Sequence, residues 1–234
     1  MTVLDNLSAI RERIASAAKR AGRLADDVAL MAVTKTFPPG TIMAAYEAGQ
    51  RLFGENRVQE FAEKVGGLTA MHDAEFHMIG HLQSNKAAKA TEIFHAVDSL
   101  DSVKLAERLN DAAAKLGKTL DVLIEVNVGG EEATTGLAAD STELDNILTG
   151  APAWKNLRIR GLMTVPPLTE DPEGARPYFR QLRELRDRLA AHNFPSVSFG
   201  VLSMGMSHDF EVAIEEGSTC VRLGTAIFGT RTKR

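Results

Sequence analysis

The chain has 234 residues, 44% of them hydrophobic, enough to bury a full core as one α/β barrel or as two small domains. Its 27 basic and 31 acidic residues give a formal charge of -4 and are scattered rather than blocked, which leaves no electrostatic footprint for DNA or a lipid surface. Cys220 is the sole cysteine, so no internal disulfide or cysteine metal cluster is expected, and a reducing cytoplasm fits best.

At the N-terminus, Val3, Leu4, Leu7, Ile10, Ile14, Ala17 and Ala18 recur at helical spacing. Arg11, Glu12 and Arg13 interrupt any run long enough for a signal peptide or a membrane span, so this segment reads as an amphipathic helix. Short apolar runs bounded by glycine, proline or small polar residues then predict strands over 28–35, 51–54, 75–80, 93–97, 120–128, 157–163, 197–202 and 219–223. Between them lie helical patterns over 40–49, 57–65, 82–90, 101–116, 140–149, 173–192 and 208–216, with Gly49, Gly66, Gly117, Gly150 and Gly217 placed as stops. The runs Val28–Val33 and Val122–Val126 show little alternation, as parallel strands covered on both faces do. Eight strand-helix units in roughly 250 residues predict a single (β/α)₈ TIM barrel spanning 1–234, with the first helix as an extra cap. A doubly wound open sheet lacks support, because no Gly-x-Gly-x-x-Gly turn follows the first strand.

In a barrel, function sits where strands end and loops begin, and the run Val28–Lys35 delivers a lysine there. A lysine among apolar residues either snorkels to water or is kept for nucleophilic work on a carbonyl; taken alone, solvation is the commoner case. Alternation turns Ala29, Met31 and Val33 to the side of Lys35. The last two strands add a second signal. Strand seven runs into Leu202–Ser207 and strand eight ends in Cys220–Thr225, two small glycine-bearing loops at the usual phosphate site of barrels. Alternation places Arg222 on the side of Cys220 and Gly224, facing the interior, where it needs either a carboxylate such as Glu125 or a ligand acceptor. A Schiff-base lysine, a phosphate pocket and an arginine between them match pyridoxal 5′-phosphate.

The sequence resembles the YggS/PROSC family of pyridoxal-phosphate-binding proteins along its whole length. The resemblance rests on Ala32–Lys35, Phe53–Asn56 with Val58–Glu60, His77–Gln83 with Asn85 and Lys86, Val97–Leu100, Gly161–Met163, Ser203–Ser207 and Val221–Thr225. It implies a fold like the barrel domain of alanine racemase without the second, β-rich domain. It also implies that Lys35 forms the internal aldimine with the cofactor and that Ser203, Ser207, Gly224 and Thr225 hold its phosphate. Arg222 would face the pyridine nitrogen, with Asn56 and Met163 near the ring. His77 and His81, near the end of strand three, read as structural hydrogen-bonders. Where many members carry further basic residues, this chain has Phe37 and the pair Thr134 and Thr135 ahead of Gly136, none of which can fill an accessory lysine role.

The residues argue against vigorous racemisation. Arg222 does not readily protonate the ring nitrogen, so the cofactor is a weak electron sink beside it. In the racemase resemblance, the acid/base group opposite the lysine is a tyrosine of the second domain. Here the only tyrosines, Tyr46 and Tyr178, fall in helical segments, and the sequence ends nine residues after Thr225. The expected protein therefore carries the cofactor on Lys35 and serves its homeostasis, with indirect effects on amino-acid metabolism. Its expected partners are pyridoxal 5′-phosphate and pyridoxal-phosphate-dependent apo-enzymes, and monomer is the default. The alternatives are a weak amino-acid racemase with Lys35 as sole base, and a cofactor-free aldolase acting on a phosphorylated sugar.

Overall fold

The computed structural model describes residues 2–130 and 135–229. Among the described residues there are nine strands: β1 (Ala29–Val33), β2 (Leu52–Glu55), β3 (Glu75–Met78), β4 (Ala96–Leu100), β5 (Leu120–Asn127), β6 (Leu137–Ala138), β7 (Leu157–Met163), β8 (Val197–Ser203) and β9 (Cys220–Leu223). Every pairing is parallel. The order β4-β3-β2-β1-β9-β8-β7-β5, closed by β4 on β5, makes an eight-stranded barrel, and the two-residue β6 adds only to β5. This is the expected (β/α)₈ architecture.

The helices surround the ring: α1 (Val3–Arg20), α2 (Pro39–Glu47), α3 (Val58–Lys64), α4 (Ala87–Ile93), α5 (Val103–Lys115), α6 (Thr142–Gly150), α7 (Arg176–Ala191), α8 (Phe210–Glu215) and α9 (Thr225–Phe228). None of them is long and apolar enough to cross a membrane. The extra α1 begins with a capping box between Thr2 and Asp5 and buries Leu7, Ile10, Ile14, Ala17 and Ala18, the stripe expected from its spacing. Its polar face is tied to α8 through Arg13 and Arg20, paired with Glu211 and Glu215.

Between strands and helices lies the core. Phe53 and Phe76 stack with centroids 5.1 Å apart, and Phe61 bridges Phe76 to Phe94. Two glycines are required by close approach. A Cβ on Gly161 would stand 1.9 Å from Val201 O, against the neighbouring strand, and one on Gly80 would stand 2.4 Å from Asn56 O.

Several boundaries differ from expectation. β1 stops at Val33, so Lys35 lies in a turn beyond the strand, followed by Thr36 with φ of 69°. The fourth strand is shifted to Ala96–Leu100, because Asp98 and Ser99 read as a turn but are buried inside it, bonded to His77 and to Gly80 O. The helix expected over 82–90 begins as a 3₁₀ turn, Ser84–Lys86, and α7 is likewise preceded by Pro172–Ala175. β6 and α9 are too short to leave a periodic signal.

Candidate functional site

Strand register brings the key loops together at the carboxyl end of the barrel. Because Ala32 pairs with Leu223, the residues that follow, Val33 and Gly224, lie side by side; a Cβ on Gly224 would sit 3.4 Å from Val33 O. The turn bearing Lys35 and the Gly224–Thr225 loop are therefore adjacent, and the rings of Phe37 and Phe228 pack 4.8 Å apart across them. Ser207 joins this group, its Oγ accepting from Ala226 N at 3.3 Å. The Ser203–Ser207 loop is shaped by Asp209, whose carboxylate accepts from Met206 N at 2.6 Å, and by Gly205 O, which accepts from Arg222 N at 3.0 Å. Lys35 is half-buried.

Arg222 is 4% exposed and points inward from β9. Of the two kinds of partner expected for it, a carboxylate such as Glu125 or a ligand acceptor, the carboxylate is not among the described groups that hold it. Nη1 donates to Ser203 Oγ at 2.7 Å and Nη2 to Thr164 O at 2.7 Å, both neutral acceptors. Burial pulls the guanidinium below its ordinary value, with Cys220, Asp98, Glu125 and Asp209 opposing that shift. Ser203, fully buried, thus orients the arginine from below.

Glu125, 2% exposed, stands in the same row of the barrel, since β5, β7 and β8 align Glu125 with Met163 and Met163 with Ser203. Thr135 Oγ1 donates to its Oε1 at 2.7 Å, while its Oε2 is buried without a hydrogen-bond partner among the described residues. Burial raises its pKa, and Asp101 adds to this against the Thr135 hydrogen bond and the Arg222 and His81 charges. Asn56 Oδ1 is likewise buried and unpartnered. Buried polar atoms are bonded in the great majority of cases, so such orphans mark where a polar ligand or water completes a site. Met163 is fully buried and lies beside Glu125 in the register of β5 and β7.

The two histidines occupy different levels. His81 is half-exposed beyond β3, with Nδ1 3.1 Å from Asp101 Oδ2. His77 faces the amino half of the barrel, where its Nδ1 lies 3.1 Å from Asp98 Oδ1. Burial would lower its pKa, but the charge and hydrogen bond of Asp98 outweigh this and push it up to about 10. With Asp98 and Cys220 it lines a cavity of about 220 Å³ at the amino end.

Comparison with known proteins fits this geometry. The alanine racemase N-terminal domain family matches residues 6–232. The pyridoxal phosphate homeostasis protein of Aquifex aeolicus is 46% identical over 231 residues, covering 99% of each chain. The chain belongs to the pyridoxal phosphate homeostasis protein family. Among solved structures of such relatives, PipY of Synechococcus elongatus, described with PLP bound, superposes with a TM-score of 0.84 at 36% identity, covering 97% of this chain and 100% of that one. An alanine racemase of Clostridium difficile shares the fold, with a TM-score of 0.73 at 14% identity over 98% of this chain and 58% of the racemase.

Within this family frame, the positions named from the sequence fall into three groups. Lys35, Ser207, Gly224 and Thr225 meet at the carboxyl mouth, Arg222 and Ser203 form a bonded pair beneath it, and Asn56 and Met163 border the interior. Phe37 packs on Phe228, and Thr135 serves Glu125; Thr134 lies outside the described residues. Sequence reasoning missed the orphaned oxygen of Glu125, for which the only signal was a carboxylate in an apolar strand. It also missed Thr164, which acts through a backbone oxygen that carries no side-chain signature.

Proposed function

We propose that this protein binds pyridoxal 5′-phosphate at the carboxyl mouth of the barrel, holds it covalently on Lys35, and serves cofactor homeostasis rather than strong catalysis. The observation that carries this reading is the register of β1 against β9, which sets the Lys35 turn beside Gly224 and Thr225 above an inward arginine. The residues suit the group. Small side chains at Ser207, Gly224 and Thr225 leave backbone room for a phosphate, Arg222 offers a cation to a ring nitrogen, and Glu125 Oε2 and Asn56 Oδ1 offer unused hydrogen-bonding capacity. The cofactor, when bound, supplies an aldehyde that condenses with a primary amine, losing water, to give a visible chromophore. Lys35 supplies that amine. Arg222, fixed by Ser203 and Thr164, stays a cation and does not hand a proton to the ring, which supports restrained reactivity. Tyr46 and Tyr178 sit on the outer helices α2 and α7, and Tyr46 is engaged by Asp73, so neither supports a racemase acid.

The test is the absorption spectrum of the purified protein before and after borohydride, with mapping of the reduced peptide. A visible band that borohydride removes and that maps to Lys35 is expected; label on another lysine would overturn the assignment. Fast α-carbon deuterium exchange into alanine or serine, abolished by Lys35→Ala, would favour a racemase instead. Release of the cofactor to pyridoxal-phosphate-dependent apo-enzymes is the expected outlet and is read by their recovery of activity.

A further inference from the structure

The turn that presents Lys35 is strained and is gripped from outside the barrel by a buried charge cluster. Thr36, β-branched, is held at φ of 69°, a strained conformation for such a residue that persists only where the surroundings impose it. Here the surroundings are β2 and α3. Thr36 N donates to Glu60 Oε1 at 2.5 Å. Lys64 Nζ donates to both ends of the turn, Thr34 O at 3.0 Å and Phe37 O at 3.5 Å, while pairing with Glu55 at 2.7 Å and Glu60 at 3.0 Å. Thr34 Oγ1 completes the cluster by donating to Glu55 Oε1 at 2.6 Å.

Stability alone is a poor account of this arrangement. Lys64 is only 8% exposed, Glu55 is fully buried, and Glu55 Oε2 has no partner among the described residues. Buried ion pairs of this kind are often matched or bettered by apolar packing, and an orphaned oxygen adds to their cost. What the cluster does fix is geometry. Thr34 is held by Glu55 and Lys64, and Thr36 by Glu60, so the backbone on both sides of Lys35 is pinned.

We infer that Lys64 and Glu60 are positioning residues, which set the height and direction of the Lys35 amine by clamping the Thr34–Phe37 turn. This rests on the reading that Lys35 holds the cofactor. It also gives a role to the Val58–Glu60 stretch, which the sequence singles out without a chemical task. A clamp of this kind raises the effective concentration of the amine at the reacting carbon; loosening it lets the covalent link open more often.

The experiment compares wild type with Lys64→Met and Glu60→Gln, reading three quantities: loss of the visible band to a carbonyl-trapping reagent, the pH midpoint of that band, and the thermal midpoint of the cofactor-free protein. Both variants are expected to lose the band about tenfold faster and to shift its pH midpoint, since a modest misplacement of a reacting group is worth that much. A purely structural cluster would move the thermal midpoint alone, and that result in either folded variant overturns the inference. Should Lys64→Met fail to fold, Glu60→Gln decides, because Glu60 is partly exposed and its amide keeps a hydrogen-bond acceptor. A wild type without any visible band defeats the cofactor reading instead. The clamp is then judged on acylation of Lys35 mapped by mass spectrometry, where an unchanged rate in Glu60→Gln overturns it.

Discussion

The two ends of this barrel are built from similar polar residues arranged to opposite effect. At the amino end polar groups answer one another: buried Asp98 lies 3.1 Å from His77 Nδ1 and favours its charged form, and the exposed Arg158 meets Asp121 at the rim. At the carboxyl end they do not. Arg222 rests on neutral oxygens, while Glu125 and Asn56 each keep a buried oxygen unpartnered among the described residues. Paired groups stabilise a fold, whereas unpaired ones are a standing cost that a bound ligand can relieve. The proposed ligand site lies at the end where stability has been left incomplete.

The largest test of this contrast is Lys35→Ala. It should abolish the visible band completely while changing the unfolding free energy of the cofactor-free protein by less than about 1 kcal/mol, measured by urea titration. His77→Gln should do the reverse, sparing the band and costing about 2 kcal/mol at pH 6. The folded pKa of His77 is raised, so its contribution is fully present below the ordinary histidine range and is lost as pH climbs through about 10. Urea titrations of both proteins at pH 6, 8 and 10 should converge; a constant gap would mean that the pair is not ionic.

Glu125→Gln sharpens the comparison at the other mouth. Its folded pKa is raised, so wild-type stability falls as pH rises past the ordinary glutamate range, and the amide should stabilise the cofactor-free protein by about 1 kcal/mol at pH 7. At about pH 3 the two should coincide, because the carboxyl is then almost wholly neutral in both states. A destabilised variant would show that Glu125 is satisfied after all. The smallest effect belongs to Arg158→Ala, which removes an exposed rim pair with Asp121 and should cost less than about 0.5 kcal/mol.

Much of this was legible in the chain. The spacing of apolar runs placed seven of the eight barrel strands and eight helices, α1 included, close to where they lie, because parallel barrel strands are buried on both faces and leave uninterrupted apolar runs. It misplaced the fourth strand, since Asp98 and Ser99 look like turn residues unless their partners His77 and Gly80, some twenty positions away, are known. Lys35, Arg222 and the two glycine loops were visible as residue types at strand ends. The partner of Arg222 was not: Glu125 was a reasonable guess from charge, yet Ser203 and a backbone oxygen hold the guanidinium.

By itself, then, the sequence determined the repeating strand-helix architecture and the set of residues able to do chemistry, because both follow from local periodicity and side-chain type. Only the tertiary structure decided which polar groups are paired and which are left waiting. It also decided that the Lys35 turn is gripped by Glu60 and Lys64 from outside the barrel. Hydrogen bonds and charges act within a few ångströms in space, and the register of neighbouring strands, which the chain does not spell out locally, sets those distances.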